Sequence, residues 1–279
     1  MKKISRRSFL AAAGLTVAAL ALTACGGSAS TASSAAASSV ASSEAASTSA
    51  AAAELTTVEA GKLTMATNAA FPPYEMTTDA GAFEGIDIET AQAIADKLGL
   101  ELQIDDMDFD AALLSVQQGK ADIVMAGVTV TDERKNVMDF SDSYATGIQS
   151  IIVPEGSDIA SPDDLAGKKI GTQRGTTGYI YCSDDFGDDA VVAYDNGLTA
   201  VQALNNGQVD AVVIDNAPAK EFVAANPGLV ILDTSYAEED YAIGMAKGSS
   251  LEDAVNAALE ELKADGTLQS IVDKYITAE

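Results

Sequence analysis

The sequence DAALLSVQQGKADIVM at Asp110–Met125 returns in a second version, LTAVQALNNGQVDAVV, at Leu198–Val213. The two versions align without a gap at a constant offset of 88 residues, which matches Asp122 with Asp210. Each version predicts a helix, a glycine that ends it and a short buried strand. The repetition predicts two related α/β lobes, and chance similarity between two ordinary helix-strand units is the alternative.

Short apolar strands and amphipathic helices also alternate around these two stretches, as in an α/β fold. Lys62–Thr67 and Lys168–Gly171 predict an earlier strand for each lobe. Ser249–Glu252 predicts a capping box at the start of the last long helix. If that helix returns to the first lobe, the chain crosses between the lobes near residues 144–149 and 237–243.

Composition narrows the possible function classes. The chain has 279 residues, 47% of them hydrophobic, so it can bury the core of one or two domains. Its 16 Lys and Arg against 42 Asp and Glu give a net charge of −26, which opposes binding to nucleic acid and to anionic membrane surfaces. Histidine is absent, which excludes Ser-His-Asp and Cys-His nucleophiles and histidine-based metal sites. We therefore predict no nucleic-acid partner, no metal and no cofactor.

The N-terminus predicts an export signal followed by a lipid anchor. Four basic residues among the first seven precede an apolar run, Phe9–Ala24, that is too short to span a membrane comfortably. Leu22–Cys25 resembles the bacterial lipobox, so residues 1–24 are the predicted signal peptide and Cys25 the predicted lipidation site. Residues 25–54, rich in Ser, Ala and Thr, form the predicted tether. Paired arginines leave Sec and twin-arginine export both open, and an incidental cysteine in a cleaved signal is the alternative to the lipobox.

Candidate binding residues follow the last strand of each repeated stretch. Gly127, Thr129 and Arg134 come after the first copy, and Asp215 comes after the second at the position equivalent to Gly127. Ligands of parallel α/β sheets gather at the carboxyl ends of the strands. An arginine fork matches a carboxylate and an aspartate accepts from an ammonium group, so the pair suits a zwitterion. Taken alone, Arg134 could be a solvated surface residue and Asp215 a turn or N-cap aspartate.

Three motifs in this region resemble a known family. Asp122–Arg134 (DIVMAGVTVTDER), Phe140–Tyr144 (FSDSY) and Gly85–Ala95 (GIDIETAQAIA) are similar to segments of the family 3 periplasmic solute-binding proteins of polar amino acid ABC importers. The third motif departs from the family pattern at Thr90, where an apolar residue is usual. The resemblance covers about residues 58–277.

The resemblance implies the fold and its division. It implies a two-lobed α/β fold of the periplasmic-binding-protein type (Venus flytrap, type II) with two hinge crossings. Residues 55–145 and 242–279 would form lobe 1, and residues 146–241 would form lobe 2.

The resemblance also implies which residues hold the common part of an amino acid. Arg134 matches the arginine that binds the α-carboxylate, helped by the N–H groups of Thr129 and Thr177. Asp215 matches the aspartate that receives the α-ammonium group, with the Gly127 carbonyl and the Thr129 hydroxyl nearby.

The side-chain pocket is assigned from the same resemblance. Phe71 and Phe109 match its aromatic walls, although alone they would be interpreted as core residues. Asn68, Gln173 and Ile214 occupy the positions that set specificity. Relatives that bind cationic amino acids often carry an acid where this chain has Asn68, and relatives that bind glutamine carry polar groups where it has Ile214. We therefore predict an amino acid with a neutral side chain, because an unpaired charge in such a pocket is costly.

These inferences combine into one predicted function. The chain would be a monomeric lipoprotein, anchored to the outer face of a bacterial cell membrane, that passes a free amino acid to an ABC permease without covalent chemistry. Two alternatives stay open from the sequence. One is a lipoprotein that senses the ligand, and the other is an enzyme resembling cyclohexadienyl dehydratases, for which Glu75 or Asp215 would be the candidate acid.

Overall fold

The computed structural model describes residues 55–276, so the predicted signal peptide, Cys25 and the tether lie outside the described residues. The strands in the described part are β1 (Lys62–Thr67), β2 (Ala70–Phe71), β3 (Glu75–Thr77), β4 (Phe83–Glu84), β5 (Glu101–Asp106), β6 (Ile123–Val124), β7 (Met138–Phe140), β8 (Ala145–Pro154), β9 (Ile170–Gln173), β10 (Val191–Tyr194), β11 (Ala211–Asp215), β12 (Leu229–Ile231), β13 (Ala237–Tyr241) and β14 (Gly244–Ala246). The α-helices are α1 (Ile86–Leu98), α2 (Phe109–Gln117), α3 (Asp132–Lys135), α4 (Thr177–Phe186), α5 (Gly197–Asn205), α6 (Asn216–Ala225), α7 (Glu252–Ala264) and α8 (Thr267–Tyr275). Strands β2, β3 and β4 form a small antiparallel sheet.

The first large sheet has the order β5-β1-β6-β14-β7. β1 lies parallel to β5 and β6, whereas β14 is antiparallel to both of its neighbours. Leu63 and Met65 of β1 are fully buried, as are residues on the inner face of α1 such as Ala91. The predicted first strand is confirmed, and Gly99 ends α1 in the left-handed conformation that favours glycine.

The second large sheet has the order β10-β9-β11-β8-β12, with β13 paired to β8. β9 lies parallel to β10 and β11. Both repeated stretches have the predicted form, α2 followed by β6 and α5 followed by β11. Their matched aspartates do the same work: Asp122 accepts a hydrogen bond from the Thr64 N–H at 2.7 Å, and Asp210 accepts one from the Lys169 N–H at 2.7 Å. Asp122 directly precedes β6 and Asp210 directly precedes β11, so each carboxylate links the start of its strand to the neighbouring parallel strand, at β1 in the first sheet and just before β9 in the second.

Two segments connect the large sheets. The chain passes from the first sheet to the second between β7 and β8 and returns between β13 and β14. β8 and β13 pair with each other from Ala145 opposite Tyr241 to Gln149 opposite Ala237. These paired strands overlap the two segments predicted as crossings. Helices α7 and α8 pack against α1, next to the first sheet.

One local prediction is wrong. Helix α7 begins at Glu252 with Leu251 at its N-cap position, and the Ser249 hydroxyl accepts from the Leu251 N–H, so Ser249 caps no helix. Among residues 55–276, no helix has both the length and the apolar character needed to cross a membrane.

Candidate ligand-binding site

A small cavity lies where the carboxyl ends of the parallel strands of both sheets meet. Nine of the ten predicted binding residues line it: Asn68, Phe71, Phe109, Gly127, Thr129, Arg134, Gln173, Thr177 and Asp215. Three further residues complete the lining, namely Glu75, Ala126 and Thr176. The structure therefore brings residues that follow each of the two repeated stretches to one cavity.

Arg134 is buried in this cavity and is not a solvated surface residue. It belongs to the short helix α3, whose Thr131 accepts a capping hydrogen bond from the Arg134 N–H. Its Nη1 donates to the Thr129 carbonyl at 2.7 Å and its Nη2 donates to the Gly175 carbonyl at 3.1 Å. The guanidinium also lies over the Phe109 ring, 5.4 Å from the ring centre. Burial lowers the pKa of Arg134 from its usual value, and the nearby carboxylates oppose this.

Asp215 faces the same cavity from the second sheet. It is at the N-cap position of α6, but its side chain makes no capping hydrogen bond. Instead it accepts from the Tyr241 hydroxyl and, at 2.9 Å, from the Gln149 amide. Burial raises the pKa of Asp215 to about 7, against the effect of the Tyr241 hydrogen bond and with that of the Glu239 charge.

Glu75 is a cavity residue for which the sequence resemblance supplied no binding role. Its side chain is fully buried, no N–H or hydroxyl group of residues 55–276 donates to its carboxyl oxygens, and its carboxyl group lies within hydrogen-bond reach of Asp87. Burial raises the pKa of Glu75 well above its usual value, and the charge of Asp87 raises it further. Asp87 itself is satisfied, because it accepts from the Gly127 N–H at 2.9 Å and from the Tyr144 hydroxyl at 2.7 Å. Its pKa is nevertheless raised to about 6 by burial.

The cavity walls meet across the gap between the sheets. The Gln173 amide donates to Asn68 Oδ1 at 2.9 Å, which joins the two predicted specificity residues. Gly127 has a φ of +56°, and a Cβ atom there would lie 2.9 Å from the Phe71 ring. Only glycine therefore lets the backbone lie this close to the aromatic wall.

Comparison with known proteins identifies the family. The model for bacterial extracellular solute-binding proteins, family 3, matches residues 63–278. The chain belongs to this family. The predicted resemblance is confirmed, and it extends over nearly all of the described residues of this solute-binding protein.

Individual relatives bind amino acids. The chain is 33% identical over 276 residues to a probable histidine-binding protein of Neisseria gonorrhoeae, covering 96% of this chain and 95% of the relative. The arginine-, lysine-, histidine-binding protein ArtJ of Geobacillus stearothermophilus is 34% identical, with a TM-score of 0.75 over 78% of this chain and 96% of ArtJ. An ancestral arginine-binding protein bound to glutamine is 42% identical, with a TM-score of 0.75 over 78% of this chain and 99% of its own. The predicted two-lobed periplasmic-binding fold is confirmed, and the family and these relatives are transport proteins that bind solutes.

Ile214 is the predicted binding residue that the structure does not bring to the cavity of this solute-binding protein. Alternate residues of a strand point to opposite faces, so Ile214 points away from the face on which Asp215 lies. Its side chain packs in the core beside Phe222 and fills the space next to Gly197. The period of two along β11 could have revealed this from the sequence.

Sequence reasoning also missed residues that surround the site. Gln149, Glu239 and Tyr241, on the paired strands β8 and β13, hydrogen-bond residues of the cavity wall. A signal was present in the sequence AEEDY of β13, where alternation places Glu239 and Tyr241 on one face. The acidic residues around Glu239, however, gave no reason to expect that this face would be buried.

Proposed function

We propose that this solute-binding protein captures one free amino acid between its lobes and delivers it to an ABC import permease. The observation that carries the proposal is that two buried residues line one cavity, Arg134 from helix α3 after the first sheet's β6 and Asp215 from the end of β11 in the second sheet. Arg134 would bind the α-carboxylate together with the N–H groups of Thr129 and Thr177. Asp215 and the Gly127 carbonyl would receive the α-ammonium group. Both contacts are charge-assisted and shielded from water, which makes them strong.

The proposed lobes are residues 55–145 with 242–279, and residues 146–241. The paired strands β8 and β13 would be the hinge about which the lobes close. Because the proposed binding residues come from both lobes, the ligand makes its full set of contacts only in the closed state. Binding would then select that state.

Glu75 decides the class of side chain that we propose. The expectation of a neutral side chain rested on the absence of an acid at Asn68 and on Ile214, which does not reach the cavity. Glu75 brings a buried carboxyl group to the same cavity from another position, and no N–H or hydroxyl group of the described residues donates to its two oxygens. A cationic side chain would satisfy it, as in arginine or lysine. The names of ArtJ and of the Neisseria gonorrhoeae relative support this class.

A neutral polar side chain is the second candidate. The amide pair of Asn68 and Gln173 offers donors and acceptors without charge, and the ancestral relative is bound to glutamine. Because its pKa is raised, Glu75 would then stay protonated and act as a hydrogen-bond donor.

Calorimetric titration of the purified protein with the twenty amino acids tests the proposal. We expect L-arginine or L-lysine to bind most tightly, and Glu75→Gln to weaken that ligand by about 10- to 100-fold, as for hydrogen bonds to charged groups. Glu84→Gln, which changes an exposed glutamate of β4, is the matched control and should change little. A cation would also ionise Glu75, so binding should release protons, seen as a heat that depends on the buffer. Tightest binding of glutamine with no effect of Glu75→Gln would favour the neutral class, and no binding of any amino acid would reject the function.

We also propose that Cys25, outside the described residues, carries the lipid that holds the protein on the outer face of the cell membrane. Labelling cells with a radioactive fatty acid should label the protein, and Cys25→Ser should abolish the label. Cys182→Ala is the matched control, because Cys182 is a buried thiol of the second sheet's core. Label retained in Cys25→Ser would contradict the proposal.

Deleting the gene would distinguish a role in transport from a role in sensing. If the protein feeds a permease, its deletion should abolish high-affinity uptake of the labelled amino acid, and restoring the gene should restore uptake. Unchanged uptake together with lost ligand-dependent gene expression would favour a sensing lipoprotein.

A further inference from the structure

We propose that Glu239 is a positioning residue that stabilises the closed form of the cavity through the hydroxyl groups of Thr129 and Thr177. The inference rests on the proposed function and assigns a role to a residue outside the cavity lining. Glu239 lies on β13, one of the two strands that connect the sheets. Only 7% of its surface is exposed.

One oxygen of Glu239 joins three separate parts of the chain. Its Oε2 accepts from Thr129 Oγ1 at 3.1 Å, from Thr177 Oγ1 at 3.0 Å and from Gln149 Nε2 at 2.9 Å. Thr129 follows β6 of the first sheet, Thr177 begins α4 beside the second sheet, and Gln149 lies on β8. A buried carboxylate that accepts several hydrogen bonds is strongly held in place.

This arrangement leaves other donors of the same threonines for the ligand. The hydroxyl protons of Thr129 and Thr177 are directed to Glu239, so their backbone N–H groups can point to the proposed carboxylate position. Thr177 is the first residue of α4, and the first N–H groups of a helix have no partner within the helix. Glu239 therefore fixes the spacing of the two threonines on either side of the gap.

The residue proposed to bind the ligand's ammonium group, Asp215, is contacted from the same face of β13. Tyr241 lies two residues after Glu239, is fully buried, and donates to Asp215. The face of β13 thus contacts residues proposed for the carboxylate and for the ammonium group. Separating the lobes must break at least one hydrogen bond to Glu239, so loss of its carboxylate should shift the equilibrium towards open forms.

The variants Glu239→Gln and Glu238→Gln provide a matched pair, since both remove one carboxylate from β13 and Glu238 is exposed. The affinities of the full protein for L-arginine and for L-argininamide, which lacks the α-carboxylate, would be measured by calorimetry. X-ray scattering would give the radius of gyration without ligand. We expect Glu239→Gln to weaken the binding of L-arginine at least 10-fold and the binding of L-argininamide less than 3-fold. We also expect it to increase the radius of gyration of the ligand-free protein. Glu238→Gln should match the wild type in all three.

The proposal would be overturned if Glu239→Gln weakened the binding of L-arginine and L-argininamide equally and left the radius of gyration unchanged. Such a result would indicate a general loss of structure, because the effect would not depend on the ligand's α-carboxylate. If Glu239→Gln fails to fold, Thr177→Val and Thr177→Ser replace it, and only the valine variant should enlarge the ligand-free protein. Equal scattering of those two variants would also overturn it. If the wild type binds no amino acid, the proposed function fails, while ligand-free scattering still decides the role of Glu239.

Discussion

Arg134 is a buried cation whose hydrogen bonds go to two backbone carbonyls, one beside each sheet. Carbonyl oxygens accept from two of its five N–H groups, but they carry no full negative charge, so a ligand carboxylate would be a better partner. In the proposed complex, this one residue would provide most of the attraction for the acid end of the ligand.

Arg134→Ala is expected to weaken amino acid binding at least 100-fold, because the carboxylate would lose its charged partner in a buried site. Arg134→Lys should recover only part of the affinity, since an ammonium group cannot form the two parallel bonds of a guanidinium. Arg174→Ala, at an exposed arginine, is the control, and calorimetry is the measurement. Affinity of Arg134→Ala within a few-fold of the wild type would count against the site.

Binding should depend on pH through Asp215. An ammonium group needs the ionised carboxylate, and burial raises the pKa of Asp215 to about 7. In the Glu75→Gln background, which removes the proton release expected of Glu75, affinity should therefore be nearly constant above that pH and fall by up to about 10-fold per unit below it. Titrations between pH 5 and pH 8 would show this, and Asp215→Asn should lose both most of the affinity and the dependence. A flat profile in the Glu75→Gln background would contradict the proposed role.

The site residues divide by what a sequence can reveal. Arg134 and Asp215 could be assigned because the repeated stretch and the family motif both pointed to them. The place of Glu75 in the cavity was missed, since the sequence does not show that its side chain is buried with no N–H or hydroxyl donor. Ile214 lies outside the cavity lining, and the alternation along β11 opposes its assignment to the pocket.

At the scale of elements, repetition predicted more than local motifs did. Asp122 and Asp210 were matched by sequence alone, and the structure gives both the same hydrogen bond to a neighbouring strand. By contrast, the sequence pattern of a capping box at Ser249 failed. Fully buried Val255 and nearly buried Leu251 and Leu262 hold α7 in the core, and tertiary packing of this kind decides where a helix starts.

Strand β8 needs a glycine at position 147, where it packs against the ring of Tyr241 on β13. A Cβ atom at Gly147 would lie 2.5 Å from carbons of the Tyr241 ring. Gly147→Ala should therefore lower the free energy of unfolding by about 1–3 kcal/mol, as overpacking does, and should weaken ligand binding by displacing Tyr241 from Asp215. Thermal unfolding and calorimetry would measure the two effects, with Thr146→Ala, at the exposed neighbour, as control. Equal stability of the two variants would show that the strands adapt.

At the scale of the molecule, the cavity takes its lining from both sheets. A bound ligand should therefore stabilise the whole described part together. At a ligand concentration 100 times the dissociation constant, the free energy of unfolding rises by about 2.7 kcal/mol. We expect one unfolding transition that moves up by several degrees with the preferred amino acid, and no shift in Arg134→Ala. Two transitions, of which only one responds, would contradict binding between the lobes.

The fold class and the order of the elements were predictable because apolar strands and helices alternate regularly and occur as two copies. The contacts between the two halves of the cavity wall were not predictable, and the hydrogen bond from Gln173 to Asn68 is an example. Residues 105 positions apart along the chain form that contact, and no local pattern announces it.

The position of β14 has a consequence for synthesis on the ribosome. This strand lies between β6 and β7 in the first sheet, yet it comes from residues 244–246. The nascent chain therefore cannot complete its first sheet until the entire second sheet has been translated. The first sheet begins to be synthesised before the second but is completed after it. Strand β6 therefore lacks its partner β14 until nearly the whole polypeptide has emerged.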